Sequence, residues 1–181
     1  MNDLDKLYDE AVALYNSGDE LAAIKSLKQL AMLGHTPSMC DMGRLCESTL
    51  RDGTASYSLA AFYYKEAAKR GDVDAQYNIG RLYYDGAEGV RRNFDKAFKW
   101  LTLAATQGDL EAQVFLADIY QKGSDYSNAI KWYTLAAESI SDETVLGAIQ
   151  KEIKETKEAI QKTERERTKT STNTNMEAPI L

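Results

Sequence analysis

An all-α solenoid, a right-handed superhelix of about four helix-turn-helix units closed by a C-terminal capping helix, is the fold this sequence predicts. Three observations predict it: landmarks that recur at a fixed 37-residue interval, apolar residues at three-to-four spacing between them, and glycines where helices must stop.

The interval comes first. Ala67-Ala68-Lys69-Arg70-Gly71-Asp72 recurs 37 residues on as Ala104-Ala105-Thr106-Gln107-Gly108-Asp109, and Asp72-Val73-Asp74-Ala75-Gln76 as Asp109-Leu110-Glu111-Ala112-Gln113. The same step backwards carries Gly71 onto Gly34, and Gly80-Arg81-Leu82 onto Gly43-Arg44-Leu45. Units therefore fall at about 2–35, 36–71, 72–108 and 109–140. The fourth is five residues shorter between its helices, where Gly86 to Phe94 becomes Gly123 to Tyr126.

Each unit reads as two helices. In the third, Asp72 is placed to cap the first, and Asp74 complements the helix dipole. Ala75, Ile79, Leu82 and Tyr83 then form one apolar face, broken by Gly86 and Gly89. Asn93 caps the second helix, whose inner face is Ala97, Trp100, Leu101, Ala104 and Ala105, with Gly108 ending it. Trp100 is expected to fill space between helices. Thr36-Pro37 supplies a cap and a first-turn proline for the second unit. Small residues at Gly43, Gly80 and Ala117 let neighbouring helices approach closely.

These residues carry a resemblance. Ile79-Gly80-x-x-Tyr83-x-x-Gly86, then Gly89-Val90, Lys96-Ala97, Trp100 and Ala104-Ala105-x-x-Gly108, resemble the Sel-one-like repeat (SLR), a relative of the tetratricopeptide repeat. The fourth unit is similar at Leu116-Ala117-x-x-Tyr120-x-x-Gly123, Ala129, Trp132-Tyr133 and Ala136-Ala137. The second is degraded, with Cys46, Thr49 and Tyr63 at the tyrosine, glycine and tryptophan positions. The first, Leu7 to Gly34, is closer to a plain tetratricopeptide unit. The resemblance spans residues 5 to 140. Some SLR proteins with a cysteine pair in each repeat are linked to β-lactam chemistry, but that pattern is missing here.

Beyond the fourth unit, Ser141 is placed to cap a helix from Asp142, with Val145, Leu146, Ile149, Ile153 and Ile160 as a narrow apolar stripe. Residues 141–167 read as an amphipathic capping helix that covers the open end of the array; a coiled-coil seam for self-association is the alternative. Residues 168–181 are polar and unpatterned and are expected to be a disordered tail.

Composition narrows the function. With 22 basic and 28 acidic side chains, net −6, the chain has no bulk attraction to nucleic acid or to a membrane surface. No apolar leader or run of spanning length occurs, so a cytoplasmic, most simply monomeric protein is expected. Cys40 and Cys46 are six residues apart on one helical stretch, a poor geometry for a mutual disulfide, so both read as reduced thiols. The only histidine, His35, falls in a turn and is expected to face solvent. One histidine and two badly placed cysteines assemble no zinc site, and no nucleophile has a base with an orienter. No phosphate-binding glycine loop occurs. No cofactor, metal or catalytic residue is expected.

The expected role is a protein–protein interaction module, an adaptor or scaffold. As in tetratricopeptide arrays, the resemblance implies a concave groove lined by the first helix of each unit. Its candidate partner-binding residues are Tyr8, Tyr15, Arg44, Tyr77, Arg81, Tyr84 and Asp118, since tyrosine and arginine make strong, orientable interface contacts. Arg91-Arg92, in the loop before Asn93, is a second local feature. Two alternatives stand beside the adaptor: a specific inhibitor or immunity protein for a bacterial effector enzyme, and a hydrolase.

Overall fold

The computed structural model describes residues 3–48 and 56–176, with side chains as far as residue 166. Among the described residues it contains nine α-helices and no strand, the helical-repeat architecture expected of the sequence. The chain divides into two compact units, Met1–Asp109 and Leu110–Leu181.

The first unit holds α1 (Asp3–Asn16), α2 (Glu20–Met32), α3 (Thr36–Glu47), α4 (Tyr57–Ala68), α5 (Val73–Asp85) and α6 (Phe94–Thr106). Consecutive helices pair as hairpins α1/α2, α3/α4 and α5/α6, and α2 meets α3 as α4 meets α5. The core repeats with the sequence register. Ala23, Ala60 and Ala97 are fully buried, as are Ile79 and Leu101. A Cβ added at Gly80 would stand 2.8 Å from Cγ of Leu101, so glycine is what lets α5 and α6 close. Trp100 departs from expectation: it is half-buried at the edge of this core, and the neighbouring Leu101 fills the interior instead.

Short polar side chains start the helices. Asp19, Asp72 and Asn93 accept backbone N–H groups three residues on, at 3.2, 2.8 and 2.9 Å. At α3 the cap position belongs to His35 rather than Thr36, which is already helical. His35 is also buried, not solvent-facing. Its Nδ1 lies 2.8 Å from Ser38 Oγ, and its ring rests against Tyr8, 5.0 Å between centroids. Polar partners inside the α1/α3 contact draw the imidazole inwards, which its turn position in the sequence did not reveal. Cys40 and Cys46 are both unbridged and buried on α3, and burial pushes both thiols up from the ordinary range.

The second unit holds α7 (Leu110–Lys122), α8 (Tyr126–Glu138) and α9 (Glu143–Met176). α7 pairs with α8, and α9 packs on α8. Asp142, not Ser141, caps α9, accepting from the N–H groups of Thr144 and Val145 at 2.8 and 3.0 Å. Of the apolar stripe, Ile149 and Ile153 join the core, whereas Val145 is exposed. Thr156 is buried and accepts from Gln121 Nε2 at 2.9 Å while donating to the Glu152 carbonyl at 2.7 Å. The backbone of α9 continues helical to Met176, into the stretch expected to be disordered. Each residue added to a formed helix gains a backbone hydrogen bond, so a helix propagates past the residues that nucleate it. Residues 177–181 lie outside the described residues, as does Thr49 of the degraded repeat. Among the described residues no helix is long and apolar enough to cross a membrane.

Candidate functional site

Three helices of the first unit, α1, α3 and α5, open their hairpins and are joined to one another by side chains. The Tyr8 hydroxyl on α1 donates to Asp41 Oδ2 on α3 at 2.7 Å. Arg44, one turn along α3, donates to Asp41 Oδ1 at 2.8 Å and reaches across to Asp74 on α5. Arg81 of α5 donates back to Glu47 of α3, whose other oxygen accepts from the Tyr64 hydroxyl at 3.0 Å. The result is a ladder of polar links from one repeat to the next.

The electrostatics follow from partial burial. Burial, then the Asp41 carboxylate, raises the Tyr8 hydroxyl above the ordinary tyrosine range. Burial alone would lower the pKa of Arg81, but the hydrogen bond and charge of Glu47 outweigh it and raise it. Arg44 remains half-exposed between its two carboxylates, so its guanidinium is reachable from solvent.

Beside the ladder lies a cavity of about 330 Å³. Tyr8, Val12 and Tyr15 of α1, Leu27 of α2, and Arg44 and Leu45 of α3 wall it, with Asp41 at its polar edge. Tyr15 is 47% exposed, which leaves its ring presented at the surface. A pocket with apolar walls and a few convergent polar groups is the usual form of a recognition site.

The candidate residues therefore separate. Tyr8, Tyr15 and Arg44 share one cavity. Arg81 belongs to the ladder, and Tyr77 stands one helical turn before it on α5. Tyr84 makes a T-shaped ring contact with Phe94 of α6, 5.4 Å between centroids, and is half-buried there. Asp118 lies in the second unit and accepts from the Tyr133 hydroxyl. Sequence reasoning missed Asp41, Leu27 and Leu45. Asp41 had a legible signal, its three-residue spacing from Arg44. Leu27 sits on a second helix, outside any count of first-helix positions.

One further grouping resembles catalytic machinery. Asp5 Oδ1, His35 Nε2, His35 Nδ1 and Ser38 Oγ form a chain at 3.4 and 2.8 Å. Ser38 is 0% exposed, however, so no substrate can approach its hydroxyl. The geometry is that of a polar joint between α1 and α3.

Comparison with known proteins agrees with this architecture. The chain is 29% identical over 139 residues to chitin synthase regulatory factor 4 of Schizosaccharomyces pombe, covering 76% of this chain and 22% of that protein. It is 29% identical over 140 residues to the chitin synthase regulator SKT5 of Saccharomyces cerevisiae, covering 75% and 20%. The chain thus spans about a fifth of the length of these relatives. Among solved structures, c5321, a protective antigen of uropathogenic Escherichia coli with an SLR fold, superposes with a TM-score of 0.68 at 30% identity, covering 75% of this chain and 30% of that one. The Sel1 repeat model matches residues 36–72, 73–109 and 110–140, more than half of the sequence, and the chain belongs to the Sel1 repeat family.

Proposed function

We propose that this protein is an interaction module that seats a segment of a partner protein on the face of α1, α3 and α5. The observation that carries the reading is the cavity beneath Tyr8 and Tyr15, with aliphatic walls and the half-exposed Arg44 at its rim. An apolar side chain of the partner enters the cavity, and a backbone carbonyl or carboxylate meets Arg44. Aromatic anchors and arginine in a partly enclosed pocket are the residue types that dominate binding energy at interfaces. Two of the relatives are named as regulators of an enzyme, which accords with a module that acts by holding another protein. The Asp5–His35–Ser38 joint is closed to substrate, so this grouping offers no nucleophile.

The test is site-specific photocrosslinking in the native host. A photoreactive phenylalanine analogue replaces Tyr15 in the full chain, and Gln29, exposed on α2, carries the same group as a control. One protein should be captured from Tyr15 and lost on Arg44→Ala, with Gln29 capturing none of it. Equal capture from both positions, or none from Tyr15, would overturn the proposal.

A further inference from the structure

A second cavity lies at the opposite kind of surface: polar, basic and built by the connection between α5 and α6. It encloses about 410 Å³ and is lined by Ser58 of α4, Tyr83 of α5, Arg91, Arg92 and Asn93 of the connection, and Lys96 of α6, among others. Three basic residues line it, and none of its described lining residues is a carboxylate. In a chain of net charge −6 this is a local reversal of sign.

The connection that carries the arginines is held in shape. Ala87 and Val90 exchange backbone hydrogen bonds at 3.0 and 2.9 Å, and the Asn93 N–H donates to the Tyr83 carbonyl at 2.7 Å. Gly86 and Gly89 take φ of 70° and 73°, values that admit glycine at little cost. Gly89 also lies so close to α4 that a Cβ there would stand 3.0 Å from that of Ser58. The loop is thereby pinned to its neighbours at several points. Arg92 donates to the Asp85 carbonyl at 2.9 Å, and Lys96 lies 5.2 Å from the centre of the Tyr83 ring. These contacts position both cations without neutralising them. Arg91 makes no ion pair or side-chain hydrogen bond among the described residues, and it is exposed.

We infer that this cavity is an oxyanion site that takes a phosphoryl group. A phosphate monoester carries roughly −1.5 to −2 charges near neutral pH and three acceptor oxygens, which matches a cavity lined by three basic residues better than a single carboxylate does. Arginine's planar fork suits that geometry, and lysine adds a point charge. The phosphoryl group is either borne by a partner's side chain or free in solution. The site is distinct from the cavity of Tyr8 and Tyr15 and stands whether or not that cavity binds a protein.

The experiment follows amide shifts of Gly89, Arg91 and Asn93 in the ¹⁵N-labelled full chain. Inorganic phosphate, a glycine-rich peptide with one phosphoserine, its unphosphorylated twin and sodium chloride are titrated at matched ionic strength. Phosphate and the phosphopeptide should each give saturable shifts; tighter binding of the phosphopeptide identifies a side-chain source, and equal binding a free anion. Arg91→Ala and Lys96→Ala should each weaken binding about tenfold, the loss of one charge-assisted hydrogen bond. Both sites are exposed, and an unchanged melting temperature will show that the fold survives. Shifts that never saturate, that chloride or the unphosphorylated peptide reproduces, or that persist in both variants would overturn the inference.

Discussion

The ring of Tyr64 on α4 fills the space that a side chain on Gly43 of α3 would need: a Cβ built there stands 2.5 Å from Cδ1 and Cε1 of the ring. Tyr64 is 1% exposed and its hydroxyl is held by Glu47, so the ring has little room to retreat. Gly43→Ala should therefore destabilise by about 1–3 kcal/mol through overpacking, despite the gain in helix propensity. Gly147→Ala, on α9 with nothing within 4 Å, should instead stabilise by about 0.5–1 kcal/mol. Urea unfolding followed by circular dichroism measures both; equal effects would mean that the Tyr64 ring rotates away.

Leu101 and Trp100 reverse the order their sizes suggest. Leu101 is fully buried, whereas Trp100 is only half-buried. Leu101→Ala should cost about 2–5 kcal/mol, and Trp100→Ala less than that. Chemical denaturation of the two variants side by side decides it.

Glu47 accepts from both Tyr64 and Arg81, whose side chains lose their acceptor together when it is removed. Glu47→Ala should cost about 1–3 kcal/mol, the penalty for leaving partly buried donors unsatisfied. Adding Arg81→Met should recover part of that loss. A double-mutant cycle with no coupling between positions 47 and 81 would show that the ion pair is idle.

Alkaline pH should unfold the protein in a defined way. Burial, reinforced by Asp41, Glu47 and Asp118, raises the pKa of Tyr8, Tyr64 and Tyr133 above the ordinary value of 10.0. A raised pKa in the folded state means stability that is complete below 10.0 and is lost as pH climbs past it. These three of the eleven tyrosines should ionise only together with unfolding. Absorbance of the phenolate band against pH, with circular dichroism on the same samples, checks this; a single early titration of all eleven would refute it.

The helical pairs and their alanine seams were legible in the sequence because each rests on local spacing that recurs in register. Asp72 and Asn93 are capping residues by type and by place, and they cap, whereas His35 and Asp142 take the places expected of Thr36 and Ser141. What was not legible depends on contacts between elements. His35 looked like a turn residue until α1 brought Asp5 and Tyr8 over it. Trp100 and Leu101 are adjacent in sequence, and only the packing of α5 decides which faces inward. Likewise Tyr8 and Tyr15 could be assigned to a face, but the cavity between them needed Leu27 from the next helix.

The close approach of Gly43 to Tyr64, and of Gly80 to Leu101, lies inside a hairpin each time. Size is thus matched between partners that are inherited together on one short stretch of chain. Whole hairpins should behave as interchangeable cassettes, provided that the Asp74 and Arg81 counterparts of the neighbouring ladder are kept. A graft that splits a cassette, setting α4 or α6 against a first helix with a larger side chain at the glycine position, would mismatch the seam even though every residue remained a member of the same repeat.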